Sequence, residues 1–463
     1  MKSLSGPIVV ILLLCQFAPA QQTRGTNLSP NLFGSVSEAA STRTTIPLSV
    51  SDAIDRALKY NLGAIIGEQQ TRVTKAARIR ALSELLPKVD AAVNETVQQI
   101  NLAAFGFTSF PGVPQVVGPF SVFDARARYS QKLVDFRFLH ELRSAAEQVT
   151  ASEYAQHDVR ELVVLITTDL YLEAMAAASR VDAARAQLRT AQAVFDRATN
   201  LKESGVVAGI DVLRAQVQLQ GQQQRVVAAE NELAKKKLNL ARAIGLPQAQ
   251  AFTQTDSFVA TPIDIPSFEE SVRIALESRP DYRRSQALIR AAEESRQAAI
   301  GRRRPSLLVN ADYGDIGRTP GFSHGTIGLQ GTLLIPLYTG ERARAEILES
   351  ESLLEQRKAE HASLSQQIEY EIRTANLDIQ AAADQVRVSE RARELAQQQL
   401  AQAQDRFAAG VTNGLEVTQA QDAVAGADEN YISSLFGLNV AEASLARAMG
   451  TAERTIKSFF GGK

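Results

Sequence analysis

The sequence is poor in cysteine, tryptophan and histidine, and it carries almost no net charge. Its 463 residues include one cysteine, no tryptophan and four histidines, and the formal net charge is -1. The single cysteine, Cys15, lies in a segment that we expect to be removed, which excludes disulfides, thiolate metal sites and cysteine catalysis in the mature chain. The balanced charge gives no reason to expect a nucleic acid partner.

Residues 1–20 have the layout of a secretory signal. An apolar run at 8–14 is followed by Ala-Pro-Ala at 18–20, a small-residue cleavage site. The mature chain would then begin near Gln21. Lipid attachment at Cys15 is the alternative. The large leucine directly before this cysteine favours ordinary cleavage, because lipoprotein signals usually carry a small residue there.

Long apolar runs are also missing from the mature chain. The nearest candidate, 161–178, is interrupted by Asp169 and Glu173, so we expect no stretch that reaches the roughly 18 apolar residues of a spanning helix. Any membrane crossing must then be made by strands. A secreted chain that crosses a bilayer only by strands belongs in an outer membrane.

Motifs of common catalytic sites are absent as well. The chain has no Gly-x-x-x-x-Gly-Lys, His-Glu-x-x-His or Gly-x-Ser-x-Gly sequence. Adjacent acid pairs such as Glu269 and Glu270 diverge on a helix, which makes them poor acid and base partners. The histidines have no metal-site spacing. We therefore expect no enzyme, no metal and no cofactor.

What the sequence does contain is a duplicated pattern. Ser49 and Ser267 each open a Ser-x-x-acid capping box, and they stand 218 positions apart. Residues 240–245 and 445–450 agree at five of six positions. A stretch rich in Ser, Thr and Asn precedes the first copy, and a stretch with three prolines, 246–266, separates the two copies. The predicted segments are a signal peptide at 1–20, an N-terminal linker at 21–47, a first repeat at 48–247, a linker at 248–265, a second repeat at 266–450 and a C-terminal tail at 451–463.

Each repeat contains one very long helix. Segments 137–204 and 341–409 lack proline and glycine and are rich in strong helix formers. Each would run about 100 Å, several times the roughly 30 Å of a bilayer core, which predicts rods in the periplasm. After Gly205 and Gly410 the returning helices carry a heptad seam, so we expect coiled-coil hairpins. The seam positions are Val212, Leu219, Val226, Leu233 and Leu240, then Val417, Val424, Tyr431, Leu438 and Leu445.

Four segments of alternating apolar and polar residues predict membrane strands. They are 89–98, 121–133, 307–313 and 327–335. Four strands cannot close a barrel, because the smallest spanning barrels have about eight. The open edges would have to be paired by other copies of the chain.

This architecture resembles the outer membrane efflux protein family, the TolC-like channels, over 48–450. The sequence Arg406-Phe407-Ala408-Ala409-Gly410 is similar to that family's periplasmic tip motif, and Leu85-Leu86-Pro87 is similar to its Leu-Pro before the first strand. The resemblance implies an α+β membrane protein, a homotrimer with a 12-stranded β-barrel, four strands per chain, in outer membrane lipid. The barrel would continue as an α-helical coiled-coil tunnel that meets a periplasmic adaptor and an inner-membrane pump.

The tips of the hairpins are the candidate site. Asp211 and Glu416 each follow a turn glycine by six positions. A carboxylate there can simply cap a helix and face its positive dipole end. The alternative is a ring of carboxylates at the tunnel constriction that selects cations. At the position of the family's next acidic residue this chain has Gln419. By the same resemblance, Thr412 stands where a basic residue forms an ionic link that closes the tip, so we do not expect closure by such a link here.

Two features adjoin the expected membrane. The run Arg302-Arg303-Arg304 ends a helix before a strand, which suits either the negative end of the helix dipole or anionic lipid headgroups. Aromatic residues at the outer end predict a girdle or a loop over the pore mouth. They are Phe105, Phe107, Phe110, Phe120 and Phe123.

The predicted function is a passive export duct for small molecules or polypeptide in a tripartite efflux or type I secretion system. It would sit in the outer membrane of a Gram-negative type of bacterium and extend into the periplasm. The rival is a periplasmic coiled-coil adaptor or scaffold without a pore. Adaptors carry a small Gly-rich domain of short strands between their helices, and no such segment is evident in the sequence.

Overall fold

The structure is a computed structural model that describes residues 30–37, 44–106, 112, 114–258, 260, 266–412 and 414–461. The predicted signal, with Cys15, lies outside the described residues. The elements run in the order β1 (Ile46–Leu48), α1 (Val50–Tyr60), α2 (Leu62–Ser83), β2 (Lys88–Asn101), β3 (Val116–Val134), α3 (Phe136–Glu203), α4 (Gly209–Ile244), β4 (Phe252–Gln254), α5 (Phe268–Ser278), α6 (Pro280–Gly301), β5 (Ser306–Gly317), β6 (Ser323–Leu334), α7 (Arg342–Ala408), α8 (Gly414–Ala448) and α9 (Ala452–Gly461).

The helices of the two halves follow the same order and have nearly equal lengths. Helices α1 and α5 both have 11 residues, and α2 and α6 both have 22. The rods α3 and α7 have 68 and 67 residues, and the returning helices α4 and α8 have 36 and 35. The two predicted rods are present, and each end lies within one residue of its predicted position.

The first helix of each half begins at the expected serine. Ser49 Oγ accepts a hydrogen bond from Asp52 N at 3.1 Å, and the Asp52 carboxylate accepts one from Ser49 N at 3.2 Å, which completes a capping box. Ser267 Oγ accepts from Glu270 N at 3.3 Å. Next along the chain, α6 starts with Pro280, whose missing N–H is no loss at a first helical position.

All four long strands form one antiparallel sheet in the order β2-β3-β5-β6. The two hairpins are joined where β3 pairs with β5. The first hairpin has strands of 14 and 19 residues, longer than the roughly ten of a minimal membrane strand, and the second has two of 12. Within the described residues, the outer edges of β2 and β6 have no partner strand.

The two faces of this sheet differ in polarity. One row across the four strands is Ala91, Ala127, Tyr313 and Ile327. On this face Tyr313 and Ile327 are 65% and 81% exposed in the single chain. The opposite face carries Asp90, Arg128 and Asp312 in one row. The alternation predicted from the sequence therefore produces an apolar face and a charged face.

The helical hairpins are joined along the predicted heptad seams. On α8, Val417, Leu438 and Leu445 are at most 1% exposed. On α4, Leu219 and Leu240 are buried, and the other three predicted positions are half-buried. The facing side of α7 buries Ile368, Ile372, Ile379 and Val386. Burial along these seams is what a coiled-coil hairpin requires.

The expectation that no segment is apolar enough to span a membrane is wrong for α3. This helix, which includes 161–178, is the one in the described part of the chain with an 18-residue window that meets the length and composition of a span. However, 61% of that window is buried in the protein. Tyr171 and Leu172 of α3 are fully buried against α1 and α4, so the apolar stretch belongs to the core.

The stretches predicted as linkers and tail contain ordered elements that pack on this core. Strands β1 and β4 pair in parallel, with Ile46 opposite Phe252. Tyr171 Oη donates to Leu48 O and is bonded to Asp256 Oδ2, both at 2.7 Å. In the C-terminal stretch, α9 is held where Ala452 N donates to Glu161 Oε2 at 2.8 Å. Through these contacts the N-terminal strand, the segment between the two halves and the C-terminal helix all pack on α3.

The buried seam gives a stability prediction. Leu438→Asp places an unpaired charge in a fully buried position, so we expect the free energy of unfolding to fall by about 3–5 kcal/mol in denaturant titrations followed by circular dichroism. The half-buried Leu233→Asp should cost less. Asn430→Asp, on an exposed face of the same helix as Leu438, is the control. Equal free energies of unfolding for the Leu438→Asp and Asn430→Asp variants would contradict the assignment of Leu438 to the buried side of its helix.

Candidate functional site at the hairpin tips

Each hairpin turns at the predicted glycine. Gly205 and Gly410 have φ of 73° and 71°, a left-handed conformation that favours glycine. Val206 N donates to Leu201 O at 2.9 Å, and Val411 N donates to Arg406 O at 3.1 Å. These bonds satisfy carbonyl groups at the end of each rod, as in a Schellman cap.

The two tips of one chain touch each other. A methyl group at Gly410 would stand 3.4 Å from Val206 Cγ1, and one at Gly414 would stand 3.6 Å from Asp211 Oδ1. Arg197 Nη2 also donates to Ala408 O at 3.4 Å. The turn of the second hairpin therefore packs directly on the turn of the first.

Phe407 is the centre of the contact between the tips. Its ring is 3% exposed and packs in a cluster with residues from all four long helices. The buried members around it are Ala198, Ala215, Ala403, Val417 and Ala420. The alanines allow the helices to approach closely enough for one aromatic ring to fill the space between them. The aromatic position of the tip motif thus has a packing function.

Glu416 forms its ion pair within its own hairpin. Its carboxylate accepts from Arg406 Nη1 at 2.8 Å and from Thr412 Oγ1. Arg406 is exposed, in contrast to the neighbouring Phe407. Gln419 lies one turn further along α8 and is exposed, whereas Val417 is buried. The face of α8 that carries Glu416 and Gln419 is therefore the polar one.

Asp211 has a different environment. Its side chain is 12% exposed, and its carboxylate lies 3.3 Å from Arg214 Nη1, three residues along the same helix. Both Asp211 and Glu416 stand in the first turn of their helices, where the helix dipole favours a negative charge. Asp211 faces the neighbouring tip, and Glu416 is held by Arg406. The two predicted carboxylates thus make separate contacts.

Ionic contacts between the hairpins lie further up the rods. Arg180 Nε donates to both carboxylate oxygens of Glu429, at 3.0 and 2.9 Å, and Arg180 Nη2 donates at 2.7 Å. These hydrogen bonds hold the pKa of the Glu429 carboxyl below its usual range. Asp422 also accepts from Gln218 Nε2 at 3.4 Å. No local sequence signal could have identified the Arg180 pair, because its members are 249 positions apart.

The charged face of the strand sheet carries a second network. Arg126 Nε is 3.1 Å from Asp124 Oδ1, and the same guanidinium pairs with Asp312 and with Thr326 Oγ1. Space for it comes from glycine: a methyl group at Gly328 would stand 2.6 Å from Asp312 Oδ1. The alternation of apolar and polar residues in β3 predicted which face of the sheet carries Arg126. Its partners on β5 and β6 follow only from the pairing of the strands.

The other predicted features are distributed between surface and packing. Arg302 Nη1 binds Glu346 Oε1 at 2.6 Å, and the Arg304 guanidinium lies 5.1 Å from the centre of the Phe136 ring. Phe120 and Phe123 project from opposite faces of β3, since they are three residues apart in a strand. Phe107 and Phe110 lie outside the described residues. Across the described ranges no cluster of His, Cys, Asp or Glu could hold a metal ion.

The sequence matches the family model described as outer membrane efflux protein over residues 70–246 and 272–451. The chain belongs to the outer membrane efflux protein family. Its relatives include the pyoverdine export outer membrane protein OpmQ of Pseudomonas putida KT2440, 24% identical over 339 residues, or 71% of this chain and 70% of the relative. OpmQ of Pseudomonas aeruginosa PAO1 is 25% identical over 86% of this chain and 84% of its own.

Solved structures of efflux channels have the same fold. The Campylobacter jejuni CmeC outer membrane channel matches with a TM-score of 0.75 at 16% identity, over 95% of both chains. CusC matches with a TM-score of 0.74 at 20% identity, over 94% of this chain and all of the other. The outer-membrane channel OprN matches with a TM-score of 0.72 at 17% identity, over 87% and 90%.

As a member of this family the chain is an outer-membrane channel component of an efflux system and extends into the periplasm. The family is one of transport channels and not of enzymes. This assignment agrees with the resemblance found in the sequence, and it favours the channel over the rival reading as an adaptor.

The packing of Phe407 makes a prediction about the tip. Phe407→Ala should open a cavity among the four helices and cost about 3–5 kcal/mol. Because the loss is local, amide hydrogen exchange should speed up near residues 195–215 and 400–420 while the upper rods stay protected. Arg406→Ala, which removes an exposed neighbour, should change exchange much less. If the two variants exchanged alike, the ring would not be what holds the tips together.

Proposed function

We propose that three copies of this chain form a passive export duct. Each copy would contribute four strands to a 12-stranded barrel in the outer membrane and four long helices to a periplasmic tunnel. The observation that carries the proposal is the single four-stranded sheet, which has an apolar face and, in the part of the chain that the structure describes, two edges without a partner strand. Backbone groups on such edges cannot remain unpaired in hydrocarbon.

The direction of the strands suits closure by further copies. With four alternating strands, β2 and β6 run in opposite directions, so β6 of one copy can pair with β2 of the next in the antiparallel sense used within the chain. Two copies would give eight strands, a barrel whose interior is filled by side chains. Three copies give a wider barrel with room for a solute.

The flanks of the helical part also support association of copies. Within the chain, α3 packs against α4 and α8, and α7 packs against α8, so α4 and α7 form the two outer sides. Both expose large apolar side chains that a neighbouring copy would cover. They are Leu213, Val217, Val227 and Leu238 on α4, and Tyr370, Leu377, Val388 and Leu395 on α7.

We also infer that the chain consists of two structural repeats, 48–247 and 266–450. The matched order and lengths of the helices support this, as do the two hairpins of one sheet and the two left-handed glycine turns. Three chains would then place six similar hairpins around the tunnel. Such pseudo-sixfold packing gives each rod a similar neighbour on either side.

At the periplasmic end we propose that Glu416, Asp211 and Gln419 line the constriction, shaped by the turns at Gly205 and Gly410. Threefold assembly would repeat each carboxylate three times in a narrow path, which favours cations. Arg406 lies beside each Glu416 and would offset part of this charge. The preference for cations would therefore depend on how far the charge of Arg406 offsets that of Glu416. Phe407, packed between the helices, would hold both residues in position.

The tips are also the proposed contact with a periplasmic adaptor, which would connect the duct to an inner-membrane pump. Exposed apolar side chains there support a protein partner: Val206, Ile210, Val411 and Leu415.

The relatives named for pyoverdine export favour small molecules over polypeptide as the cargo. Growth of a deletion strain on a panel of toxic compounds, metals and bile salts would identify the class.

The trimer is tested by mass. Protein extracted in mild detergent should measure three times the chain mass by light scattering corrected for bound detergent. Gly331→Pro in the edge strand β6 should weaken assembly if that edge is paired, because proline removes a donor and stiffens the strand. Gly221→Ala on an exposed face of α4 is the control. A stable monomer of the unmodified chain would overturn the proposal.

The constriction is tested in planar bilayers. Glu416→Ala should lower both the cation preference and the block by divalent cations severalfold, because three carboxylates leave the narrowest part of the path. Arg406→Ala should shift both quantities in the opposite direction, since it leaves Glu416 uncompensated. Asp211→Asn removes the second predicted carboxylate, and its effect on both quantities is compared with that of Glu416→Ala. Unchanged selectivity in Glu416→Ala and Arg406→Ala would mean that the constriction lies elsewhere.

A further inference from the structure

A cavity of about 550 Å³ lies between the two helical hairpins of the single chain. All four long helices contribute to its lining, and Phe258, from the segment after β4, lines it as well. Its volume falls in the range of pockets that bind small molecules, roughly 300–1,000 Å³. The cavity is formed within one chain, so it exists independently of the proposed trimer.

Two buried amides line this cavity. Gln222 on α4 is 2% exposed and Gln421 on α8 is 5% exposed. Neither Gln222 Oε1 nor Gln421 Nε2 has a hydrogen-bond partner among the described residues. Burying a polar group without a partner is unfavourable, so each such group calls for an explanation, and a bound molecule that supplies the missing hydrogen bond is one. One atom offers an acceptor and the other a donor.

The rest of the lining defines the kind of occupant. Val424, Ile432 and Leu435 supply an apolar wall. Near them Arg393 Nε binds Asp428 Oδ1 at 2.8 Å, so this cation is already neutralised. Asp182 adds an exposed carboxylate to the lining. The site therefore offers hydrogen bonds and apolar contact, and its net negative charge disfavours anions.

We propose that this cavity binds a small uncharged amphipathic molecule, with an apolar or aromatic body and a group such as an amide that both donates and accepts hydrogen bonds. The donor of Gln421 and the acceptor of Gln222 would bind the polar group, and the wall of Val424, Ile432 and Leu435 would cover the body. Because the two glutamines belong to different hairpins, the bound molecule bridges them.

The absence of tryptophan from the chain allows a clean test. Phe258→Trp places a single fluorophore at the cavity of the full-length protein, reconstituted in phospholipid nanodiscs without detergent. Chloramphenicol serves as the probe, because it is neutral, has an amide and hydroxyl groups, and quenches indole fluorescence through its nitrophenyl ring. We expect saturable quenching. Val411→Trp at the exposed tip is the control and should be quenched only in linear, collisional fashion.

Two further comparisons identify the groups responsible. In the Phe258→Trp background, Gln222→Leu and Gln421→Leu keep the side-chain volume and remove the amide, so each should weaken binding at least tenfold while the circular dichroism spectrum stays unchanged. Chloramphenicol succinate, the anionic ester of the same probe, should bind at least tenfold more weakly than the neutral parent.

Linear quenching at both tryptophans would overturn the proposal, because the cavity would then have no saturable site for the neutral probe. Unchanged binding in both leucine variants would likewise overturn it, because the amides would then have no part in recognition. The measurement involves no transport, so a chain that fails to form the proposed duct can still pass this test, and one that conducts ions can fail it.

Discussion

Every N–H and C=O group of a strand inside hydrocarbon must be paired with another strand, because no water is present to replace a missing partner. The single chain meets this requirement where β2 meets β3, where β3 meets β5 and where β5 meets β6, but among the residues that the structure describes the outer edges of β2 and β6 have no partner. The proposed assembly around the membrane axis rests on those two edges. In that assembly the helices below would share the same rotational symmetry, and the exposed apolar side chains of α4 and α7 would be covered by neighbouring copies.

Much of this fold could be predicted from the sequence because its patterns are long and regular. The heptad that contains Leu438 and Leu445 identified a buried seam, and Ser49 identified the start of a helix. Alternation in β3 identified the two faces of the sheet. In each case a local period, seven or two, repeats often enough to outweigh the uncertainty of any single residue.

The features that could not be predicted depend on short elements or distant partners. Strand β4 has three residues in a segment read as a linker, and its only signal is the backbone pairing with β1. In the sequence, Asp169 and Glu173 argue against an apolar span in α3, although both lie at the edge of a buried core. Burial raises the pKa of Asp169 to about 6, the cost of placing a carboxylate there. For the candidate site, the turns were evident in sequence, whereas the partners of Asp211 and Glu416 were not.

At the tip, the ion pair and the contact between the hairpins are made by different residues. The pair of Arg406 and Glu416 joins the two helices of one hairpin, so it cannot hold that hairpin to its neighbour. The contact between hairpins at the tip is made by Phe407 and its alanine neighbours, whose packing salt does not screen, and by the hydrogen bond from Arg197 to Ala408 O. Ion pairs between the hairpins lie higher up the rods, as between Arg180 and Glu429. Apolar packing therefore supplies most of the cohesion between the hairpins at the tip, and the Arg406–Glu416 pair takes no part in it.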